Sequence, residues 1–150
     1  MTTQYLKNQL PVVDFASETQ SHLFNLDDLI NKLAAPAGKT SFLVFRNNKY
    51  ITVRTDHIAY FQFKYDSANL ISFGGQEYPL NYSLDHIQNL LTQKQFFRLN
   101  RQYLINFQAV KEVECYFARK LLVHLTVQVE EKLLVPREKV TAFLEWLENR

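Results

Sequence analysis

The spacing of apolar residues divides this chain into a short helical beginning and a long region of strands. In residues 25–38 the apolar side chains recur at the spacing of one helical face, and these are Leu26, Leu29, Ile30 and Leu33. Pro36 and Gly38 end that segment. From residue 41 onward the period becomes the alternation typical of β-strands. We therefore predict a linker with a short helix over residues 1–38 and one domain over residues 39–150.

Pairs of turn residues separate the predicted strands. Asn47-Asn48 lies between two apolar runs and tolerates the left-handed geometry of a tight hairpin. Residues 65–67 and the pair Gly74-Gly75 form the next turns of an antiparallel meander. Ala118-Arg119 separates a later pair of strands, whose alternation predicts inward positions at Val113, Cys115, Phe117, Leu121, Val123, Leu125 and Val127.

Two further amphipathic helices are predicted. Ser83 is a good N-cap for a helix over residues 84–93. Pro136 stands at the entrance of a C-terminal helix, where its missing N–H does no harm. That helix is predicted to bury Val140, Phe143, Leu144 and Leu147. The fold class is therefore mainly β, with antiparallel sheets and short helices.

Composition and charge narrow the choice of setting and partner. Apolar residues make up 47% of the 150 residues and charged residues 21%, which is typical of a globular domain. No stretch is long and apolar enough for a membrane span, and the single cysteine excludes an internal disulfide, so we expect a cytoplasmic protein. Residues 39–139 hold fourteen Lys and Arg against nine Asp and Glu. That moderate positive excess suits a partner that carries phosphates.

The residues required by common enzyme mechanisms are missing or scattered. The three glycines form no phosphate-binding motif, and the four histidines lack the close spacing of a metal site. Cys115 shares a strand face with Val113, where a thiol is usually packing rather than a nucleophile. Glu130-Glu131 is expected to be a solvated turn. We therefore predict no catalytic residue, no metal and no cofactor.

Residues 96–106, FFRLNRQYLIN, interleave polar side chains with apolar anchors. A guanidinium fork binds phosphate oxygens or guanine, and Asn or Gln binds adenine in the same bidentate way. Such a segment could therefore present Arg98, Asn100, Arg101 and Gln102 to a nucleic acid. The alternative is that Arg98 and Arg101 form surface ion pairs.

The order of three motifs resembles the LytTR DNA-binding family of bacterial two-component response regulators. The family pattern F-F-R-x-x-R/N-x-Y/F-x-x-N is matched by Phe96, Phe97, Arg98, Arg101, Tyr103 and Asn106. A V-x-R-x-x-V-like element is matched by Val135, Arg137 and Val140. An I-x-Y-F strand before a loop is matched by Ile58, Tyr60 and Phe61. The resemblance covers residues 42–147.

This resemblance implies an elongated β fold that binds duplex DNA through loops in successive major grooves. It also implies binding at paired repeats, with a possible homodimer on the DNA. By position, Arg101, Arg137 and Asn69 are expected to read bases. Contacts to the DNA backbone are expected from Lys64, Arg98, Asn100, Gln102 and Lys139. Asn100 and Gln102 replace a His and a Ser that are common in the family, which leaves the base preference open.

Most family members also carry a receiver domain that is phosphorylated in a sensor kinase pathway, and 150 residues are too few to include one. The competing hypothesis is a protein-interaction module whose aromatic strands pair with a partner. A hydrolase would require Cys115 to meet a histidine in a pocket.

Overall fold

The computed structural model describes Leu26 and residues 38–149. The helix predicted within residues 25–38 lies outside these residues, apart from Leu26 and Gly38. Ten strands and two α-helices follow one another along the described chain. They are β1 (Ser41–Arg46), β2 (Lys49–Arg54), β3 (Ile58–Lys64), β4 (Ser67–Ser72), β5 (Glu77–Leu80), α1 (Leu84–Leu90), β6 (Phe96–Arg98), β7 (Tyr103–Asn106), β8 (Val110–Tyr116), β9 (Lys120–Leu125), β10 (Leu133–Val135) and α2 (Val140–Glu148).

A five-stranded antiparallel sheet in the order β5-β4-β3-β7-β6 forms the middle layer. Alternate residues of its strands belong to two separate hydrophobic clusters, so both faces of the sheet are covered. Phe61 and Leu104 lie in the cluster that includes the β1-β2 hairpin and α1. Tyr60 and Ile105 lie in the cluster that includes the β10-β9-β8 sheet and α2. Two covered faces explain why β3 is apolar almost without interruption.

Three of the hairpins, β1-β2, β3-β4 and β8-β9, turn through two residues with positive φ. Asn47 and Asn48 have φ of 54° and 63°, and the pair Ala118-Arg119 has φ of 60° at both positions. The β3-β4 hairpin uses Tyr65-Asp66 in the same way. Such turns match the twist of the strands they connect. The predicted positions of these turns are confirmed, with β4 already beginning at Ser67.

Both helices exist, and each differs in detail from the prediction. The hydroxyl of Ser83 accepts a hydrogen bond from the His86 N–H at 3.1 Å, which confirms the cap of α1, but α1 ends at Leu90. In α2 the prediction for Leu144 is wrong, since that side chain is exposed while Trp146 is buried. The Trp146 ring packs on Phe97 and Phe143, and its N–H donates to the carbonyl of Gln93 at 2.8 Å. The core therefore lies on the Trp146 side of the helix.

The prediction that Cys115 and Phe117 are core residues is wrong. Cys115 is exposed, and Phe117 is 74% exposed. Cys115 does share a face with the buried Leu121 opposite it, so its alternation was assigned correctly. However, β8 is the outer strand of its sheet, and no part of the described core covers its end. β9 is also shorter than predicted, because it ends at Leu125.

These positions predict different costs of substitution. Cys115→Ser should change the free energy of unfolding by less than about 0.5 kcal/mol, because an exposed hydroxyl stays hydrated. Phe143→Ala should cost about 3 to 5 kcal/mol, because it opens a cavity beside the Trp146 ring. Urea unfolding of both variants measures these values. A loss above 1 kcal/mol for Cys115→Ser would mean that the thiol is packed.

Candidate nucleic-acid interface

The loop of residues 99–102 between β6 and β7 is held from inside by Arg98. Its guanidinium donates to the carbonyls of Asn100 at 2.7 Å and Arg101 at 3.0 Å. The same group donates to the carboxylate of Asp85 at 2.7 Å and the amide oxygen of Gln88 at 3.1 Å, both on α1. Only 15% of the Arg98 side chain is exposed. Its fork is therefore occupied by protein acceptors.

The side chain of Asn100 shapes the same loop. Its Oδ1 accepts the backbone N–H groups of Gln102 at 2.8 Å and Tyr103 at 3.1 Å. This is the local side-chain to backbone bonding that stabilises tight turns. Its Nδ2 donates to the carbonyl of Leu134 in β10 at 3.3 Å. Asn100 therefore both closes the turn and ties it to a neighbouring strand.

Further hydrogen bonds connect this loop to the other segments that the sequence singled out. The N–H of Phe63, near the end of β3, donates to the carbonyl of Gln102 at 2.9 Å. The ammonium of Lys139 donates to the carbonyl of Arg98 at 3.1 Å. The loop of residues 99–102, the end of β3 and the turn Arg137–Lys139 are thus fixed against one another.

Three of the predicted site residues extend from this fixed frame into solvent. Arg101, Gln102 and Arg137 are exposed, and none of their side-chain polar groups has a hydrogen-bond partner among the described residues. Arg101 is held through its carbonyl, which Arg98 binds. Arg137 follows Pro136, whose φ of −63° stiffens the entry to the turn. The backbones of both arginines are therefore held in place, while their guanidinium groups stay available to bind a ligand.

Lys64 and Asn69 belong to the β3-β4 hairpin at the same end of the sheet. The ammonium of Lys64 lies 3.4 Å from the carboxylate of Glu130 and over the ring of Tyr65. Hydrogen bonding to Glu130 raises the pKa of Lys64. Asn69 is half-buried and donates to the Ser67 carbonyl at 3.3 Å. The ammonium of Lys64 is therefore paired with a carboxylate, and the side-chain amide of Asn69 makes a hydrogen bond within its own hairpin.

Lys139 is a half-buried cation beside Arg98. Burial is the main cause that lowers the pKa of Lys139, and the nearby Arg98 charge lowers it further. Its bond to the Arg98 carbonyl places its ammonium against the loop rather than far into solvent. Among the eight predicted site residues, Arg98, Asn100 and Lys139 are thus bound to the frame.

Sequence reasoning missed a buried polar group under the surface. The hydroxyl of Tyr103 donates to the Glu131 carboxylate at 2.6 Å and accepts from the Gln62 amide at 3.0 Å. Burial and the bond to Glu131 raise the pKa of Tyr103. Glu130 and Glu131 lie in an exposed bend before β10, as expected, and each also contacts a residue of the central sheet. The sequence signal for such a group is a tyrosine inside an apolar run, because a buried hydroxyl needs a hydrogen-bond partner.

Other kinds of site find little support within the part of the chain that is described. No group of three His, Cys, Asp or Glu side chains there is arranged to hold a metal ion. No described helix is long and apolar enough to cross a membrane. Cys115 lies at an exposed strand end, and His124, on the adjoining strand β9, is bound to Glu114.

Comparison with known proteins identifies the family. The profile of the LytTr DNA-binding domain matches residues 48–148. Among solved structures, the fold matches the LytTr DNA-binding domain of a protein from Bacillus cereus described as a methyl-accepting/DNA response regulator. That match has a TM-score of 0.65 at 19% identity and covers 73% of this chain and 98% of the other. No curated protein sequence matches the chain with statistical significance.

The chain therefore belongs to the LytTr DNA-binding domain family. The profile match covers about two thirds of the 150 residues and includes all eight predicted site residues. The solved neighbour independently supports the sheet arrangement, so the predicted fold class is confirmed.

The role of Asn100 leads to a test of how the loop is held. Asn100→Ala removes the acceptor of two N–H groups at a cost of about 1 to 2 kcal/mol, so amide hydrogen exchange at Gln102 and Tyr103 should accelerate roughly tenfold. Asn100→Asp keeps the acceptor oxygens and should protect both amides nearly as well. Amide exchange rates at Gln102 and Tyr103, measured by NMR on the two variants and the unchanged protein, test this role. Equal exchange in Asn100→Ala and the unchanged protein would contradict this role.

Proposed function

We propose that this domain binds duplex DNA at specific sites and controls transcription as the output module of a two-component response regulator. The observation that carries the proposal is the pair of arginines, Arg101 and Arg137, which are exposed and free of side-chain partners in the described structure while their backbones are fixed. A preorganised guanidinium fork recognises guanine in the major groove.

The division of labour among the site residues follows from their contacts. Arg101 and Arg137 are proposed to read bases, and Gln102 and Lys64 to bind the DNA backbone beside them. A DNA phosphate would replace Glu130 as the partner of Lys64, so binding would require the Lys64–Glu130 ion pair to break. Lys139 would contribute its charge from a half-buried position. Asn69 is proposed as the base reader of the third segment.

Arg98 and Asn100 take a different proposed role from the one expected from sequence. Both were expected to contact the DNA backbone. Because the Arg98 fork has four protein acceptors and Asn100 bonds two N–H groups and one carbonyl, we assign them to positioning the loop. A phosphate contact by Arg98 would require it to give up at least one of these bonds.

The regulatory context is also a proposal. The solved neighbour is described as part of a response regulator, and the family resemblance implies a receiver domain upstream in a bacterial signalling pathway. Binding to paired repeats as a homodimer would place two copies of the surface along one face of the duplex. The receiver and its sensor kinase would then set the fraction of domains available for pairing.

A protein-interaction role is supported by one feature of the β1-β2 hairpin. Its outer face exposes Leu43, Phe45 and Tyr50, and the rings of Phe45 and Tyr50 lie 4.9 Å apart. This face is on the layer opposite the β10-β9-β8 sheet. The two roles are therefore compatible, and a partner bound there would leave the arginine surface open.

The proposed reading roles predict selective losses in DNA binding. On a site selected from random duplexes, Arg101→Ala and Arg137→Ala should each cost about 1 to 3 kcal/mol and relax preference at one base position. Wild-type affinity should fall steeply with salt, by about 0.9 in log-log slope for each phosphate bound. Titrations against the site, its single-base variants and an unrelated duplex measure both effects.

A matched control is available on the β1-β2 hairpin. Lys49→Ala removes one exposed charge near the other end of the central sheet and should leave selectivity unchanged. If the arginine variants lose the same factor on specific and unrelated DNA, the arginines bind phosphate only. A flat salt dependence of the wild type would argue against DNA as the partner.

A further inference from the structure

The tip of the β8-β9 hairpin combines an exposed aromatic ring with cations. Phe117 is 74% exposed, and its ring lies 4.7 Å from that of Tyr116. The ammonium of Lys132 lies over the Tyr116 ring at 5.5 Å and donates to its hydroxyl at 3.4 Å. Tyr116 is thus held by Lys132, which lies in the segment just before β10, and Phe117 rests against Tyr116. The exposed ring is therefore held at a defined place.

The turn residues of this tip are poorly suited to their backbone. Type I′ turns favour Asn, Asp or Gly, which tolerate positive φ, yet Ala118 and Arg119 both have φ of 60° here. The guanidinium of Arg119 is exposed and has no hydrogen-bond partner in the described chain. Neither turn geometry nor internal bonding therefore accounts for an arginine at this position.

Strand register places this tip beside the candidate reading surface. Val135 at the end of β10 pairs with Leu121, and Lys120 pairs with Tyr116 at the start of the turn. Pro136 continues β10 in an extended conformation, with φ of −63° and ψ of 151°. Arg137, two residues beyond Val135, and Arg119, two residues before Leu121, therefore leave the same end of the sheet on adjacent strands.

We propose that the hairpin tip is an additional DNA contact, in which Arg119 binds a backbone phosphate and Phe117 packs on the adjoining deoxyribose. The contact would flank the bases approached by Arg137 on the same duplex, and it rests on the DNA-binding function proposed above. Sugar and phosphate contacts of this kind fix the register of a protein on DNA without reading sequence. The tip would set how the Arg137 fork enters the groove.

The charges near the tip favour DNA over a protein partner. Lys132 lies over the Tyr116 ring, and Arg119 and Lys120 follow the aromatic pair closely along the chain, while the nearest acid of β8, Glu114, is bound to His124. An exposed ring close in the chain to unneutralised cations matches a phosphate backbone, which offers apolar sugars between its charges. Glu112 lies farther along β8, opposite His124 and away from the turn.

The variant Arg119→Gly separates this role from a role in folding. Glycine fits the positive φ, so the variant should melt a few degrees higher than the wild type. Its affinity for DNA should nevertheless fall roughly fivefold, and the log-log salt slope should shrink by about 0.9. Phe117→Ser should lower affinity by a similar factor with the slope unchanged, since it removes an uncharged contact.

The experiment titrates the full chain and its variants against the selected duplex and an unrelated one, with Lys49→Ala as the control for loss of a charge. Both tip variants should weaken the two duplexes alike, whereas Lys49→Ala should keep the wild-type slope. Tip variants with wild-type affinity and slope would overturn the proposed contact and point to a protein partner for the exposed ring. Failure of the wild type to bind any duplex would instead overturn the proposed function, and this contact with it.

Discussion

The candidate surface depends on the guanidinium of Arg98. Carbonyl groups in a turn of four residues cannot all bond within the turn, and those of Asn100 and Arg101 are both directed at this one side chain. The remaining donors of Arg98 reach α1 through Asp85 and Gln88. A planar fork that satisfies four acceptors at once sets the position of the loop relative to the helix. Lysine, a point charge, could not replace it.

The central sheet gives this arrangement its rigidity. Covered on both faces, it holds β3 and β7 side by side, and the loop of residues 99–102 extends β7 by only a few residues. Under the surface, the hydroxyl of Tyr103 joins Gln62 of the sheet to Glu131 in the segment before β10. Buried polar groups with every partner in place favour one arrangement over its neighbours. The segments that carry Arg101, Arg137 and Lys64 are therefore all supported by the central sheet.

Local patterns in the sequence predicted the elements whose cause is local. Ser83 could be assigned as a cap because its hydroxyl serves the next turn of its own helix, and Asn47-Asn48 as a turn because asparagine tolerates positive φ. The motif positions of Arg101 and Arg137 followed from family resemblance. Whether their side chains would be free depended on contacts with distant segments.

The failures concern residues whose surroundings come from far along the chain. Cys115 alternates as a core residue does, yet its strand lies at the edge of a sheet where the packing ends. The position of Arg98 after two phenylalanines suggested a surface cation, but its guanidinium is bound inside the protein, in part by Asp85, thirteen residues earlier. Trp146 is buried against Phe97 and Phe143, and its N–H donates to the carbonyls of Gln93 and Lys94, more than fifty residues earlier. Spacing within one element carries no information about such partners.

The substitution Arg98→Lys tests most directly whether Arg98 acts inside the protein or on DNA. Lysine keeps the charge but cannot bond four acceptors, so we predict weaker binding to the selected duplex, reduced discrimination against an unrelated one and an unchanged salt slope. Titrations of both duplexes at several salt concentrations, on protein shown by circular dichroism to be folded, measure all three. Wild-type affinity and discrimination in Arg98→Lys, with a slope reduced by about 0.9 in Arg98→Ala, would show that Arg98 binds a phosphate and contradict the account.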